Sequence, residues 1–158
     1  MERAGTVVLG IGNTLLTDEG AGVHAIRMLE GRPDPPLAVR FVDGGTLSFT
    51  LAGPIAQADN LIVMDAAELG EAPGSVAVFV DEEMDRFLGT RRKRSVHEVG
   101  LLDLMQIARL TGCLPARRAL IGIQPGCIEW GERPTPPVER AIGEACERAL
   151  GLLARWRA

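Results

Sequence analysis

Five side chains of this sequence have types and spacings that could do chemistry. They are the acids Asp18, Glu19, Asp43 and Asp65 and the histidine His97. Two of these carboxylates together with the imidazole would make a mixed oxygen and nitrogen donor set, which suits nickel, zinc, iron or another divalent transition metal. Magnesium would prefer oxygen ligands alone. We therefore predict that a transition-metal site draws on these residues.

The stretch "VLGIGNTLLTDEGAG", residues 8–22, begins like a strand that runs into a glycine turn. Such turns usually present backbone N–H groups and a helix N-terminus to a phosphate. Here Asp18 and Glu19 stand where the phosphate would lie, and two carboxylates would repel it. The turn therefore indicates a cation site.

The two histidines differ in position. His97 would be the second residue of a helix capped by Ser95, where the helix dipole disfavours imidazolium and keeps the ring neutral, as a metal ligand must be. A lone histidine at a helix start is more commonly an ordinary surface residue, and only convergence with the acids favours a ligand. His24 lies five residues beyond Glu19, about 140° around a regular helix. We interpret it as part of a solvated or packed helix face.

The elements that would position these residues alternate along the chain. Apolar runs predict five strands: 6–11, 37–42, 60–67, 74–80 and 118–125. Helical spacing and end signals predict four helices: from 17 or 18 to 30, 46–57, 95–112, and one that begins at 135. Alternation of this kind predicts an α/β fold. We expect a single three-layer domain over residues 1–158, with a mostly parallel five-stranded twisted sheet and helices on both faces; the fourth strand, after a short connection, could be antiparallel.

The acids gain meaning from this architecture. Ligands of such sheets collect at the carboxyl ends of the strands. Asp18 and Glu19 follow the first predicted strand, Asp43 ends the second and Asp65 ends the third. For any one of them, bonding to loop N–H groups is an equally good explanation. For the whole set, a shared site is the better one.

Composition narrows the function classes. The chain has 158 residues and a net charge of -4, which argues against a nucleic-acid or anionic-membrane partner. No apolar run approaches the ~20 residues of a membrane span, and the N-terminal apolar run is too short for a signal peptide. Three cysteines, with no C-x-x-C pair, fit reduced thiols. We expect a cytoplasmic protein, and nothing requires more than a monomer.

Common peptidase and cofactor motifs are missing. The sequence has no H-E-x-x-H and no G-x-S-x-G, so a conventional zinc peptidase or triad hydrolase is unsupported. A dinucleotide-binding domain is one alternative, because Gly10, Gly12 and an acid after the second strand would fit it. Its third fingerprint position, however, is Leu15, and the helix start is acidic.

Five sequence blocks carry a family resemblance. "GIGNTLLTDEGAG", "DGGT", "LIVMDA", "SVHEVGLLDLM" and "GIQPGCIEWGERPTPPV" occur in the order and spacing of the nickel-iron hydrogenase maturation endopeptidases, which the chain resembles from about Val7 to Val138. The resemblance implies an enzyme that removes a short C-terminal extension from a hydrogenase large-subunit precursor after nickel insertion. It places the metal-contacting and catalytic positions on Glu19, Asp65 and His97.

The resemblance also assigns roles around these residues. Nickel would belong to the precursor and act as a recognition signal, so the protease need not retain a metal. Asp43, in "DGGT", would shape the site or contact the substrate. Beyond what the resemblance implies, we hypothesise that the bound nickel orients the precursor tail while Asp65 or Glu19 assists a water in attacking the peptide bond. Ser48 stands where relatives often carry glycine. A noncatalytic nickel-binding chaperone is the alternative, with the same Glu19, Asp65 and His97.

Two further segments have two interpretations each. "RRKR", Arg91–Arg94, is a solvated loop or a docking patch for the precursor, because it precedes His97. "QPGCIEWG", residues 124–131, is a turn with Trp130 packed against the core, or a wall of the cleft. For the second segment the sequence favours neither.

Overall fold

Five strands form one sheet in the computed structural model, which describes residues 5–90 and 96–157, except for the side chains of 96–99. The strands are β1 (Thr6–Gly10), β2 (Val39–Asp43), β3 (Asn60–Ala66), β4 (Val76–Val80) and β5 (Arg117–Ile123). Their order in the sheet is β2-β1-β3-β5-β4. Four strands are parallel, and β4 is antiparallel to β5. The predicted mostly parallel sheet is confirmed, including its antiparallel fourth strand.

Helices cover both faces of this sheet. They are α1 (Ala21–Glu30), α2 (Ala52–Gln57), α3 (Glu82–Thr90), α4 (Val96–Leu110) and α5 (Pro136–Arg157), with short 3₁₀ helices over Thr17–Gly20 and Phe49–Leu51. The first and last helices pack on one face, and α2, α3 and α4 on the other. The predicted three-layer α/β domain is confirmed. Within the described ranges, no helix is both long enough and apolar enough to cross a bilayer.

One hydrophobic core lies between the sheet and the helices α1 and α5. The helical spacing of apolar residues in α5 explains which of its side chains enter this core. The predicted inner side of α5 is buried throughout: Val138, Ala141, Ile142, Ala145, Ala149, Leu152 and Leu153. Its small alanines let the helix lie close to α1 and to the sheet. Burial of each large aliphatic side chain stabilises the fold by about 1.5–3 kcal/mol.

A second hydrophobic core, on the other face of the sheet, holds helix α4 in place. Leu101, Leu104, Met105 and Ala108 are buried against the sheet, as their spacing predicted. This face holds α4 beside the strand residues Leu61 and Val63. His97 therefore begins a helix that is anchored to this face of the sheet, although its side chain lies outside the described part of the structure.

Helix α3 was not anticipated from the sequence. Its first turn contains Glu82, Glu83 and Asp85, which makes the segment polar overall, yet acids in a first turn stabilise a helix. Met84 and Leu88 lie four residues apart and are both buried. That pair, which begins four residues after the last residue of β4, Val80, was the available signal.

The helix predicted over 46–57 starts later. Ser48 is extended, with φ -139° and ψ 165°, so regular helix appears only from Ala52. Any residue adopts this conformation, so serine in place of glycine leaves the loop intact. Pro54 lies in the first turn of α2, where its missing N–H costs nothing and the helix is not distorted. The basic run Arg91–Arg94 and the proposed cap Ser95 lie outside the described residues.

Candidate active site

The carboxyl ends of three strands are level at one edge of the sheet. Gly10, the last residue of β1, pairs with Asp43 on β2 and with Met64 on β3. Asp65 follows Met64 directly. Asp43 and Asp65 therefore flank the end of β1, as the strand-end argument predicted, two strand spacings or about 10 Å apart.

The two acids face opposite sides of the sheet. Side chains alternate along a strand, so Asp65 shares the face of Val63, which packs toward α4. Asp43 shares the face of Phe41, which packs toward α1 and α5. Accordingly its carboxylate lies 3.8 Å from the guanidinium of Arg27 on α1. Asp65 is buried and Asp43 is exposed, so the structure separates them in environment as well as in space.

The glycine turn brings Glu19 to the same edge as Asp65. Gly12 has a φ of 150°, and a Cβ there would lie 2.1 Å from the carbonyl oxygen of Glu19. The turn is fixed at both sides, because Ile11 donates its N–H to Met64 O (3.0 Å) and Gly12 to Gly45 O (2.8 Å). Glu19 is thus held, half-buried, beside the end of β3.

Helix α1 begins immediately after this turn and presses on the same strand end. A Cβ on Gly22 would lie 2.1 Å from Met64 O and 2.4 Å from Ile11 O. Only glycine permits this approach. The backbone of α1 therefore fixes the position of the residue that precedes Asp65.

Asp18 has a structural role that its sequence position does not reveal. Its carboxylate is fully buried and accepts the backbone N–H groups of Gly126 (2.8 Å), Cys127 (2.9 Å) and Thr135 (2.6 Å). The hydroxyl of Thr135 also donates to it. The loop after β5 therefore binds the carboxylate that the glycine turn supplies, and these hydrogen bonds tie the loop after β5 to the loop after β1.

Backbone hydrogen bonds join the same two loops further out. Thr17 donates its N–H to Gly131 O (2.8 Å), and Gly131 donates to Leu15 O (2.9 Å). On this rigid support Trp130 is 80% exposed, so the interpretation that Trp130 packs against the core is wrong. The interpretation of this segment as a wall of the cleft stays a prediction.

Gln124 is a positioning residue that sequence reasoning missed. It is buried, and its amide oxygen accepts the N–H of Leu69 (2.7 Å) while its amide nitrogen donates to Glu68 (3.1 Å). These contacts hold the loop that follows Asp65. An amide at the end of the otherwise apolar run "ALIGIQ" was the signal for it.

His24 belongs to a packed helix face, as expected, and not to the predicted metal set. Its Nε2 is buried and has no hydrogen-bond partner among the described residues. Burial lowers the pKa of His24, the charge of Arg27 lowers it further, and Glu139 opposes both. The ring is therefore neutral at pH 7.

The structure describes two of the three side chains in the predicted metal and catalytic set, those of Glu19 and Asp65. Glu19 and Asp65 lie at one edge of the sheet, and α4, which carries His97 in its first turn, packs on the face of Asp65. Among the side chains that the structure describes, no group of three His, Cys, Asp or Glu residues could hold a metal. The set of Glu19, Asp65 and His97 therefore stays a prediction, as does substrate recognition by Asp43.

Comparison with known proteins decides the family. A family model described as hydrogenase maturation protease matches residues 23–152. The chain belongs to the hydrogenase maturation protease family. It is 39% identical over 148 residues to the hydrogenase 2 maturation protease of Escherichia coli K12, covering 93% of this chain and 89% of that protein. It is 41% identical over 149 residues to the hydrogenase expression/formation protein HupM of Azotobacter chroococcum, covering 94% and 71%.

Solved structures of the family share the fold. The E. coli hydrogenase maturating endopeptidase HybD superposes with a TM-score of 0.89 at 38% identity, over 98% of this chain and 93% of that one. The [NiFe] hydrogenase maturation protease HybD of Thermococcus kodakarensis gives 0.78 at 28% identity, over 96% and 99%. This maturation protease is therefore an endopeptidase. The dinucleotide-binding and noncatalytic alternatives are not supported.

Proposed function

We propose that this maturation protease removes a C-terminal extension from the large-subunit precursor of a nickel-iron hydrogenase, after nickel has been inserted. Membership of the family supports hydrogenase processing. The observation that carries the residue assignment is the convergence at the sheet edge, where buried Asp65 follows the residue to which the Glu19 turn is hydrogen-bonded.

Nickel enters this proposal as part of the substrate. Two carboxylates, Glu19 and Asp65, and the imidazole of His97 suit a divalent transition metal in donor type. Contact with a metal already held by the precursor would make cleavage depend on loading. The protease then needs no resident metal, and the nickel serves as the recognition signal.

The bond cleavage itself requires a base and a water. Asp65 or Glu19 accepts a proton from the water as its oxygen attacks the carbonyl carbon of the peptide bond, the carbon–nitrogen bond breaks, and the leaving amine takes up a proton. Positioning of the precursor tail against this edge supplies much of the rate. Asp43, on the other face of the sheet and beside Arg27, would contact the precursor near the cut.

We place the enzyme in the cytoplasm as a monomer. The three cysteines, Cys113, Cys127 and Cys146, are free thiols, the state that a reducing compartment would maintain. Light scattering of the purified chain alone and with the precursor would test the monomer.

The deciding experiment is mass spectrometry of a cognate large-subunit precursor incubated with the enzyme, with and without prior nickel loading. We expect a single C-terminal truncation in the loaded sample only. Truncation of both samples would refute the proposed dependence of cleavage on nickel but would still support the protease activity. An uncut precursor that demonstrably carries nickel would instead favour a noncatalytic nickel-binding role.

A further inference from the structure

A small apolar cavity lies between helix α4 and the loop that follows β2. Its volume is about 100 Å³. Among the residues whose side chains the structure describes, the lining comes from these two segments: Leu47, Ser48, Phe49, Gly100, Asp103 and Leu104. Small-molecule sites usually measure about 300–1,000 Å³, so this cavity suits a single aliphatic side chain and not a cofactor.

Both walls of the cavity belong to segments that also carry candidate active-site residues. The loop that forms one wall starts at Gly45, which donates its N–H to Asp43 and accepts the N–H of Gly12 through its carbonyl oxygen. Gly12 in turn supports Glu19. On the other wall, Gly100 follows His97 by three residues, so both lie on the same side of α4, about 4.5 Å apart along the axis.

Gly100 helps to keep this cavity open. Glycine in a helix interior costs about 1 kcal/mol relative to alanine. A Cβ at this position would lie 3.3 Å from Cδ2 of Leu47 and would enter the space between the two walls. Replacement by alanine would therefore favour the helix but shrink the cavity.

The rim of the cavity carries one exposed apolar side chain and one exposed acid. Phe49 is 73% exposed although it borders the cavity, so apolar surface continues from the cavity onto its rim. Asp103, also exposed, adds one charge on the opposite side. An extended peptide that crosses this rim could insert one side chain.

We propose that the cavity binds one apolar side chain of the precursor's C-terminal extension, close to the cleaved bond. This specificity site rests on the proposed function, since its occupant is part of the same substrate. It selects the tail by the size of one residue, whereas the acids and His97 act at the bond. A tail whose residue is too large for the cavity would be displaced from the reacting position.

The test compares two glycine-to-alanine variants of the full chain. Gly100→Ala narrows the cavity, and Gly143→Ala, in α5 with nothing within 4 Å of its added Cβ, provides a matched gain in helix propensity. Each enzyme is given nickel-loaded precursors that carry alanine, valine, leucine or phenylalanine at each of the first four positions after the cut. Initial rates of truncation are measured by mass spectrometry.

We expect one tail position at which the wild-type enzyme prefers valine or leucine over alanine. At that position Gly100→Ala should lower kcat/KM for leucine about tenfold relative to alanine, the usual effect of one methyl group in an apolar pocket. Gly143→Ala should reproduce the wild-type preference. A uniform change across all tails in Gly100→Ala, or no size preference in the wild type, would overturn the specificity site while leaving the protease intact. Failure of the wild type to cut any loaded precursor would overturn the proposed function, and this inference with it.

Discussion

A methyl group on Gly12 would lie 2.1 Å from the carbonyl oxygen of Glu19, so only glycine lets the chain close this turn. The same glycine donates its N–H to Gly45 O and has a φ of 150°. The turn that resembles a phosphate loop in sequence therefore works as a support that sets the position of an acid. Its effect on Glu19 is direct, through backbone contact.

Gly12→Ala should consequently lower both stability and activity. The added carbon would displace the Glu19 backbone, and we expect a loss of about 3 kcal/mol in the free energy of unfolding. Gly45→Ala is the control, because Gly45 also has a positive φ, 50°, but an added Cβ meets nothing within 4 Å. It should cost about 1 kcal/mol from backbone strain alone. Urea denaturation of both variants measures the difference, and equal losses would refute the contact with Glu19.

Asp18→Asn should loosen the loop after β5 without touching the bond-breaking residues. An amide accepts fewer N–H groups than a carboxylate and directs its own N–H groups at Gly126 and Cys127, so we expect about 3 kcal/mol of destabilisation. The exposed Asp34→Asn should be neutral within about 0.5 kcal/mol. Hydrogen exchange should report faster exchange at the amides of residues 126, 127 and 135 in Asp18→Asn. Unchanged protection there would contradict the assigned role.

The ion pair between Asp85 and Arg118 predicts a pH-dependent contribution to stability. Arg118 donates to both carboxylate oxygens of Asp85 (2.9 and 2.5 Å), and this hydrogen bonding lowers the pKa of Asp85, against the opposing effect of burial. A carboxyl with a lowered folded-state pKa stabilises the fold above its unfolded pKa, near 3.9, and loses that contribution as the pH falls. Asp85→Asn should therefore cost about 1–3 kcal/mol at pH 7 and progressively less below about pH 4.

The control for this pair is Glu144→Gln. Glu144 and Arg148 form an i, i+4 pair at 3.3 Å whose side chains are about half exposed, so its loss should cost at most about 0.5 kcal/mol. Urea unfolding of the three proteins at pH 7 and pH 3 separates the two cases. A cost for Asp85→Asn that is the same at both pH values would exclude the ion pair as its source.

The cysteines should differ in reactivity. Burial raises the pKa of Cys146 to about 11, and its thiol donates to Ala25 O at 3.4 Å. Cys113 and Cys127 are only half-buried. A thiol reagent at pH 8 should thus label up to two cysteines in the native protein and all three in denaturant. Native labelling of Cys146 on the time scale of the other two would contradict its burial.

Much of the fold could be predicted because its elements are encoded locally. Five apolar runs gave the strands, and the spacing of Leu101, Leu104 and Met105 gave the inner face of α4. Helix α3 escaped because its first turn is acidic and its anchors are long-range contacts: Met84 and Leu88 are buried, Phe87 stacks on Phe79, and Asp85 pairs with Arg118. Local sequence carries little information about an element that long-range packing stabilises.

The candidate site was harder to predict from the sequence than the fold, because its details depend on contacts between residues that are far apart in the chain. Asp18 and Glu19 are adjacent acids whose roles the sequence does not distinguish. Only the approach of residues 126–135 gives Asp18 its structural role. Likewise the register of β2 against β1 decides that Asp43 faces Arg27 and not Asp65. Neither relationship could be derived from residue spacing.

Asp65→Asn should abolish processing of a nickel-loaded precursor and leave the fold intact. Asparagine has nearly the same shape as aspartate, so the packing around this buried residue at the end of β3 is retained. It lacks the charge that a metal contact or a general base requires, and loss of such a group lowers rates by about 10²–10⁴-fold. Asp43→Asn, at the same sheet edge but on the other face, should raise KM for the precursor more than it lowers kcat.

Two measurements on purified variants separate chemistry from folding. Thermal unfolding of Asp65→Asn should stay within a few degrees of the wild type, while mass spectrometry shows an uncut precursor. Full activity in Asp65→Asn would remove this residue from the mechanism and leave Glu19 as the base. An inactive variant that also melts far below the wild type would assign Asp65 to the structure of the strand end, because loss of activity would then follow from loss of fold.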